Sequence, residues 1–377
     1  MDQALNLLIS LAFESICTYL FISLISGIIY FVISYIKPGL MKISYKPFEL
    51  KLRHPFTIAK FSRTSTPIML MEIHYEGFTG YGEASMVPYM GENIDTATAF
   101  MKKVDLSWLK APFNFDELIV YLDSIAPGNP NIKAAIDIAL HDLRGKLEQK
   151  ACYQYFGSDP ANMPPTSYTL GIDTPEVLLE KIKDGENCHI IKVKLGRDND
   201  KELINTIRSA TDKPLYVDAN QGWNDKQEGL DMVFWLHEQG VVLIEQPMAK
   251  DDFDSNAWIT ERSPIAIVGD ESVQRFSDVE KAKGVYHGIN MKLMKSAGMH
   301  EGYRMIMKAK ELGLKTLIGC MSETSCGTLA AAALAPLCDW ADLDGPFLTS
   351  NNPYRDPEFR DGKWVLSEAP GLGLIKP

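Results

Sequence analysis

From about residue 166 onward, apolar and β-prone runs recur roughly every 25 residues, the spacing of a strand plus a helix. They begin near Ser167, Ile190, Leu215, Val241, Ile265, Gly288, Lys315 and Trp340. Helical spacing of apolar positions fills the gaps, for example over residues 201–210, 227–239 and 301–312. Strands buried on both faces carry near-continuous apolar runs, and their alternation with helices predicts a parallel sheet. Eight strands and seven intervening helices predict an α/β fold: a modified (β/α)7β TIM-type barrel over residues 166–350 that lacks its last helix.

The pattern ahead of the barrel is different. Period-two alternation over residues 43–50 and 68–75, with the turn pair Glu76-Gly77, predicts an antiparallel meander. Gly80 and Gly82 read as a second turn leading into a mobile loop punctuated by Pro88 and Gly91. A helix is predicted over residues 131–149, where Ile132, Ala135, Ile136, Ala139, Leu140, Leu143 and Leu147 form one apolar stripe. Asp142 and Arg144 read as solvated residues on its other face. Strands followed by helices describe an α+β capping domain over residues 41–165. Between its first two strands lies a polar, basic loop with Arg53, His54, Lys60 and Arg63. The tail, residues 351–377, is rich in Pro, Asp and Gly and is expected to return to the capping domain.

Residues 16–36 hold no charged side chain and are long enough to cross a bilayer. Asp2 and Glu14 precede them without any Lys or Arg, unlike a secretory signal. Two readings of residues 1–40 fit. One is a single membrane anchor, with Lys37, Lys42, Lys46 and Lys51 keeping the catalytic part in the cytoplasm. The other, which is preferred because nothing later needs a membrane, is an apolar extension ahead of a soluble start at Met41.

Composition narrows the partners. The 377-residue chain is 46% hydrophobic and 23% charged, as expected of a folded soluble protein. Its net charge of −11 argues against nucleic acid and anionic membrane surfaces. Six cysteines without CxxC spacing point to neither a zinc site nor a disulfide framework, and fit reduced thiols in the cytoplasm. A homo-oligomer stays open.

The chemistry sits at the strand ends. Lys192 and Lys194 lie two apart in an otherwise apolar run, so both leave one face of a strand. Neighbouring ammonium groups are expected to lower each other's pKa, which makes a lysine a usable base; two solvated lysines at a strand end are the plainer alternative. Barrel sites form at the carboxyl ends of strands, and these ends offer Asp218, Glu245 and Asp270 on three successive strands, then Lys292. Three such carboxylates repel one another unless a hard divalent cation such as Mg²⁺ gathers them; separate salt bridges to the lysines are the alternative.

Lys192-Val-Lys194, Asp218-Ala-Asn-Gln-Gly-Trp223, Glu245-Gln-Pro, Asp270-Glu-Ser and Asn290-Met-Lys292 together resemble the enolase superfamily, in its muconate lactonizing enzyme subgroup. The resemblance runs from Met41 to the C-terminus. It implies one Mg²⁺ on Asp218, Glu245 and Asp270, opposed acid/base lysines at Lys194 and Lys292, and contact between Lys192 and a substrate carboxylate. Asp342-Leu-Asp344 places two carboxylates on one face and resembles the dipeptide epimerases, where such a pair receives the α-ammonium of the substrate. Cys320-Met-Ser-Glu323-Thr resembles the same group and implies a substrate contact at Glu323. The implied activity is inversion of the α-carbon of the C-terminal residue of a dipeptide such as L-Ala-D/L-Glu, through an enediolate, in cell-wall peptide metabolism. Lys60 or Arg63 could read an acidic side chain. The rival use of this scaffold, as an o-succinylbenzoate synthase or muconate cycloisomerase, has no ammonium for Asp342 and Asp344 to bind. A non-catalytic binding barrel would tolerate loss of a ligand or lysine, and none is missing.

Overall fold

The computed structural model describes residues 41–58 and 61–376. The readings of residues 1–40 and of Lys60 therefore fall outside the described residues. Strands β1 (Lys42–Thr57), β2 (Ser62–Tyr75) and β3 (Phe78–Ser85) form an antiparallel sheet in that order, turned at Glu76 and Gly77. Helices α1 (Ile94–Met101), α2 (Phe115–Ile125) and α3 (Pro130–Leu147) cover one face, and Met69, Met71, Ile73, Leu118, Leu122, Ile136 and Leu140 form the core between the two layers.

Two expectations for this domain are corrected. Gly80 and Gly82 lie inside β3 and not in a turn. They are glycines because α3 crosses the sheet there: a Cβ at Gly80 would collide with the carbonyl oxygen of Ala139, and one at Gly82 with that of Ala135. Asp142 is buried, not solvated. It accepts from the Tyr81 amide at 2.9 Å, the Leu372 amide at 2.8 Å and Lys146 Nζ at 2.5 Å, because β3 and the C-terminal tail close over its side of α3. Arg144 stays at the surface, paired with Glu148.

The barrel expectation is borne out. Strands β4 (Ser167–Leu170), β5 (Ile190–Lys194), β6 (Leu215–Asp218), β7 (Val241–Glu245), β8 (Ala266–Gly269), β9 (Gly288–Lys292), β10 (Lys315–Gly319) and β11 (Trp340–Asp342) form one parallel sheet in sequence order. A parallel bridge between Thr166 and Ala341 joins the last strand to the first. Period two then fixes what lies inside. Ile190, Tyr216, Leu243, Val268 and Leu317 make an apolar plug toward the amino ends of the strands. Two residues further along the same faces stand Lys192, Asp218, Glu245 and Asp270. The tail runs back along the capping domain, with Ser350 N donating to Lys51 O, Cys152 N to Gly371 O, and Lys376 Nζ to Glu72. Among the described residues no helix is long and apolar enough to cross a membrane.

Candidate active site

Strand register assembles a compact array of opposite charges. Lys194 pairs with Asp218 across β5 and β6, and Asp218 with Glu245 across β6 and β7. Lys192 Nζ stands 2.6 Å from Glu245 Oε2, 2.7 Å from Asp342 Oδ2 and 3.5 Å from Asp218 Oδ2. Lys194 Nζ reaches Asp218 Oδ2 at 2.5 Å. Opposite them, Lys292 Nζ reaches Asp270 Oδ2 at 2.7 Å and Glu245 Oε1 at 3.7 Å. The strands that carry Lys194 and Lys292 are four apart in an eight-stranded ring, so the two amines approach its axis from opposite sides.

Asp218, Glu245 and Asp270 are all buried, and each offers an oxygen within 4.8 Å of the others. Three oxygen donors of this kind, with no nitrogen or sulfur among them, suit a hard divalent cation such as Mg²⁺. Burial, with Asp218 and Asp270 as like-charged neighbours, pushes the Glu245 carboxyl up to about 7, the mark of a site short of positive charge. Asn290 Nδ2 donates to Glu245 Oε1 at 2.7 Å and fixes that oxygen.

One electrostatic expectation is overturned. Lys192 is not made more acidic by its neighbours: burial works against its charge, yet Asp342, Glu245 and Asp218 raise its pKa well above the ordinary value. Lys292 behaves alike: burial opposes its charge, and Asp270 and Glu245 more than compensate. A cation on the three carboxylates would compete for the same oxygens and withdraw that support from the lysines.

Sequence reasoning assigned no part to Lys295, which completes the array. It is buried, pairs with Asp270 Oδ1, and donates to the carbonyls of Asp270 (2.7 Å), Asn290 (2.9 Å) and Val273 (3.0 Å). The available signal was a second lysine within an apolar stretch, three positions after Lys292.

A second zone borders the same cavity. Asp342 Oδ1 accepts from Ser167 Oγ at 2.7 Å and Thr169 Oγ1 at 3.4 Å. Asp344 Oδ2 accepts from the Thr169 amide at 2.7 Å, and Cys320 Sγ lies 3.8 Å from Oδ1. Burial and then Asp342 push the Asp344 carboxyl up to about 6. On another wall Arg63 donates to Ser322 Oγ at 2.8 Å and Thr66 Oγ1 at 3.1 Å, against the rings of Phe56 and Phe61. Burial lowers its pKa, and no carboxylate forms an ion pair with it among the described residues. Met321 and Ser322 line the cavity, and the neighbouring Glu323 is buried beside Gly327 and Glu83. Glu323 Oε1 accepts from the Met321 amide at 2.8 Å, and its buried Oε2 has no donor among the described residues.

Residues 177–375 match the family described as enolase C-terminal domain-like, and residues 43–157 match the mandelate racemase / muconate lactonizing enzyme N-terminal domain. The L-Ala-D/L-Glu epimerase of Bacteroides thetaiotaomicron is 50% identical over 339 residues, covering 90% of this chain and 88% of the relative. An L-Ala-D/L-amino acid epimerase of Pedosphaera parvula is 36% identical, covering 89% of this chain and 99% of the relative. The crystal structure of a dipeptide epimerase from Enterococcus faecalis, complexed with Mg and L-Leu-L-Tyr, superposes with a TM-score of 0.80 at 32% identity over 89% of this chain and 99% of that one. With its two-part fold, its charged barrel mouth and this degree of likeness, the chain belongs to the mandelate racemase / muconate lactonizing enzyme family of the enolase superfamily.

Proposed function

We propose that this protein is a Mg²⁺-dependent dipeptide epimerase that inverts the α-carbon of the C-terminal residue of a dipeptide, with L-Ala-D/L-Glu as the model substrate. The observation that carries the reading is the placement of Lys194 and Lys292 on opposite sides of the three-carboxylate cluster. Asp218, Glu245 and Asp270 would hold the ion, which supplies positive charge for the oxygens of the substrate carboxylate. Lys192 points into the same space and adds a donor for that carboxylate. One lysine Nζ takes the α-proton from one face of the carbon, leaving a planar enediolate. The other Nζ returns a proton to the opposite face, which inverts the centre. The same pair works in reverse for the other epimer.

Two further features bear on the substrate. A buried carboxylate at Asp344 suits a free α-ammonium, and a half-buried guanidinium at Arg63 suits an acidic side chain. A cycloisomerase substrate without an amino group would leave Asp344 unpaired, and the relatives named above are epimerases of dipeptides or of L-Ala-D/L-amino acids. L-Ala-D/L-Glu is a cell-wall peptide unit, so cell-wall peptide metabolism in a reducing cytoplasm is the proposed setting, in keeping with five free thiols among the described residues. The test is α-deuterium incorporation from D₂O into a dipeptide panel, read by mass spectrometry. Exchange and epimerisation of L-Ala-L-Glu support the reading; absence of exchange on every dipeptide sinks it.

A further inference from the structure

Among the described residues, four lysines meet the carboxylates at the floor of the barrel, and one of them is engaged differently. Lys192, Lys194 and Lys292 pair with carboxylates and line the catalytic cavity. Lys295 Nζ is buried among four protein oxygens: Asp270 Oδ1 and the carbonyls of Asp270, Asn290 and Val273. An ammonium has three donors, so four acceptors leave none over for a substrate or for proton transfer. The grip on Asp270 is completed from its other side. Gln246 Oε1 accepts from the Asp270 amide at 2.9 Å and the Ser272 amide at 3.1 Å, and its Nε2 donates to Met248 O at 3.1 Å and Tyr286 Oη at 3.0 Å. Gln246 thus holds the N–H of Asp270, and Lys295 holds its C=O and its Oδ1. That leaves Oδ2 facing the cluster, 2.7 Å from Lys292 Nζ. Apart from the cavity lysines, the other two carboxylates are restrained by neutral donors, the Asn220 amide on Asp218 Oδ1 at 2.9 Å and Asn290 Nδ2 on Glu245 Oε1 at 2.7 Å. A carboxylate free to turn can offer both oxygens to a large cation, whereas one pinned through Oδ1 offers a single oxygen. Ca²⁺ accepts either mode, while Mg²⁺ is smaller and demands strict geometry, so ligand number and rigidity decide between them.

We infer that Lys295 is a positioning residue that fixes Asp270 as a one-oxygen ligand and so makes the three-carboxylate site selective for Mg²⁺ over Ca²⁺. The inference rests on the Mg²⁺-dependent reading above and goes beyond it, since three freely turning carboxylates would also bind a divalent cation.

The test is calorimetric titration of the full chain, stripped of metal, with Mg²⁺ and separately with Ca²⁺, for the unaltered protein and for Lys295→Met. If the unaltered protein binds no Mg²⁺, the metal-dependent reading falls and this inference with it. If it binds Mg²⁺ no more tightly than Ca²⁺, the inference alone falls. Lys295→Met should raise the Kd for Mg²⁺ by about 10- to 100-fold, the scale for losing a partner that orients a metal ligand. The Kd for Ca²⁺ should change several-fold less, so the preference for Mg²⁺ shrinks. Other roles for a buried lysine move the readout differently. Removing a mere counter-charge would tighten both ions, and removing a mere packing residue would alter both alike; either result overturns the inference. Should Lys295→Met not fold, Lys295→Gln decides alone. Its shorter, neutral side chain cannot reach Asp270 Oδ1 and the three carbonyls together, so a reduced preference for Mg²⁺ supports the inference and an unchanged one refutes it.

Discussion

The charged residues at the mouth of the barrel differ in one respect, whether each has a partner. At the floor, four lysines (Lys192, Lys194, Lys292, Lys295) interlock with four carboxylates (Asp218, Glu245, Asp270, Asp342). On the walls, half-buried Arg63 and buried Asp344 stand without a counter-ion among the described residues. Burying an unpaired charge is expensive, and a fold tolerates it where a ligand completes the pair. Paired charges therefore mark where the reaction is run, and lone ones mark what is recognised. The floor obeys a further arithmetic. Four ammonium groups and four carboxylates sum to zero, so the two positive charges of a divalent cation match the two negative charges of an enediolate.

The largest effect expected from breaking the floor is removal of the cation. EDTA should abolish turnover and Mg²⁺ should restore it, measured by polarimetry or by deuterium exchange. Glu245→Gln should weaken calorimetric Mg²⁺ affinity as well as activity, because it takes a formal charge from a hard-cation site. Full activity in a metal-free sample would remove the basis of the comparison.

Next come the lysines. Lys194→Ala and Lys292→Ala should each cost roughly 10²–10⁴ in epimerisation, the range for a positioned acid/base group. Exchange of an α-deuterium needs only the base on the correct face. Any residual exchange in one variant should therefore favour one epimer of the second residue, and in the other variant the opposite epimer. If both variants exchange the same epimer, the opposed pair is not the acid/base pair.

A smaller and more selective effect tests the wall. Arg63→Met should raise KM for L-Ala-L-Glu by about 10- to 100-fold, while dipeptides with a neutral second side chain change several-fold less. Equal losses on acidic and neutral substrates would make Arg63 a packing residue against Phe56 and Phe61.

The mildest effect separates lone charges from neutralised acids. Glu83 and Glu323 are buried across the junction of cap and barrel: Glu323 Oε2 and Glu83 Oε1 lie 2.5 and 2.6 Å from the point where a Cβ on Gly327 would stand. Thr324 caps Glu83 through its amide and hydroxyl, and no cation pairs with either acid among the described residues. Burial first, then hydrogen bonds that only partly offset it, leaves Glu83 at about 7, and burial with Glu83 as neighbour pushes Glu323 to about 8. Both values lie above the ordinary carboxyl range, so the folded protein holds protons that the unfolded chain releases. That stability is fully present below the ordinary carboxyl range and fades as pH rises toward 8. Tm should fall by several degrees between pH 5 and pH 8, and Glu323→Gln should flatten the slope. A slope unaltered in that variant would mean that the alkaline loss arises elsewhere.

Much of the site was legible because strand geometry is local. Period two along Ile190–Lys194 placed Lys192 and Lys194 on one face above an apolar residue, and the same rule placed Asp218 above Tyr216 and Glu245 above Leu243. Eight apolar runs at even spacing were enough to predict the barrel, since only a few architectures bury parallel strands on both faces. Lys295 lies three residues past the Asn290-Met-Lys292 motif and gained no task, because nothing nearby in the chain shows that Asp270 is its partner.

What the sequence alone determined, then, is which residues stand at the strand ends and which of them share a face. The tertiary structure decided how each one is engaged. Asp342 and Asp344 are separated only by Ser167, Thr169 and Lys192, which reach them from β4 and β5 across the closure of the barrel. Asp142 is buried by Tyr81 and Leu372, 61 and 230 positions away, and Gly80 and Gly82 are strand residues because α3 passes over them. Glu323 packs beside Glu83, 240 positions distant in the chain. Periodicity is written in neighbouring residues; the partner of a buried charge comes from whichever distant segment packs against it, and only the closed fold brings the two together.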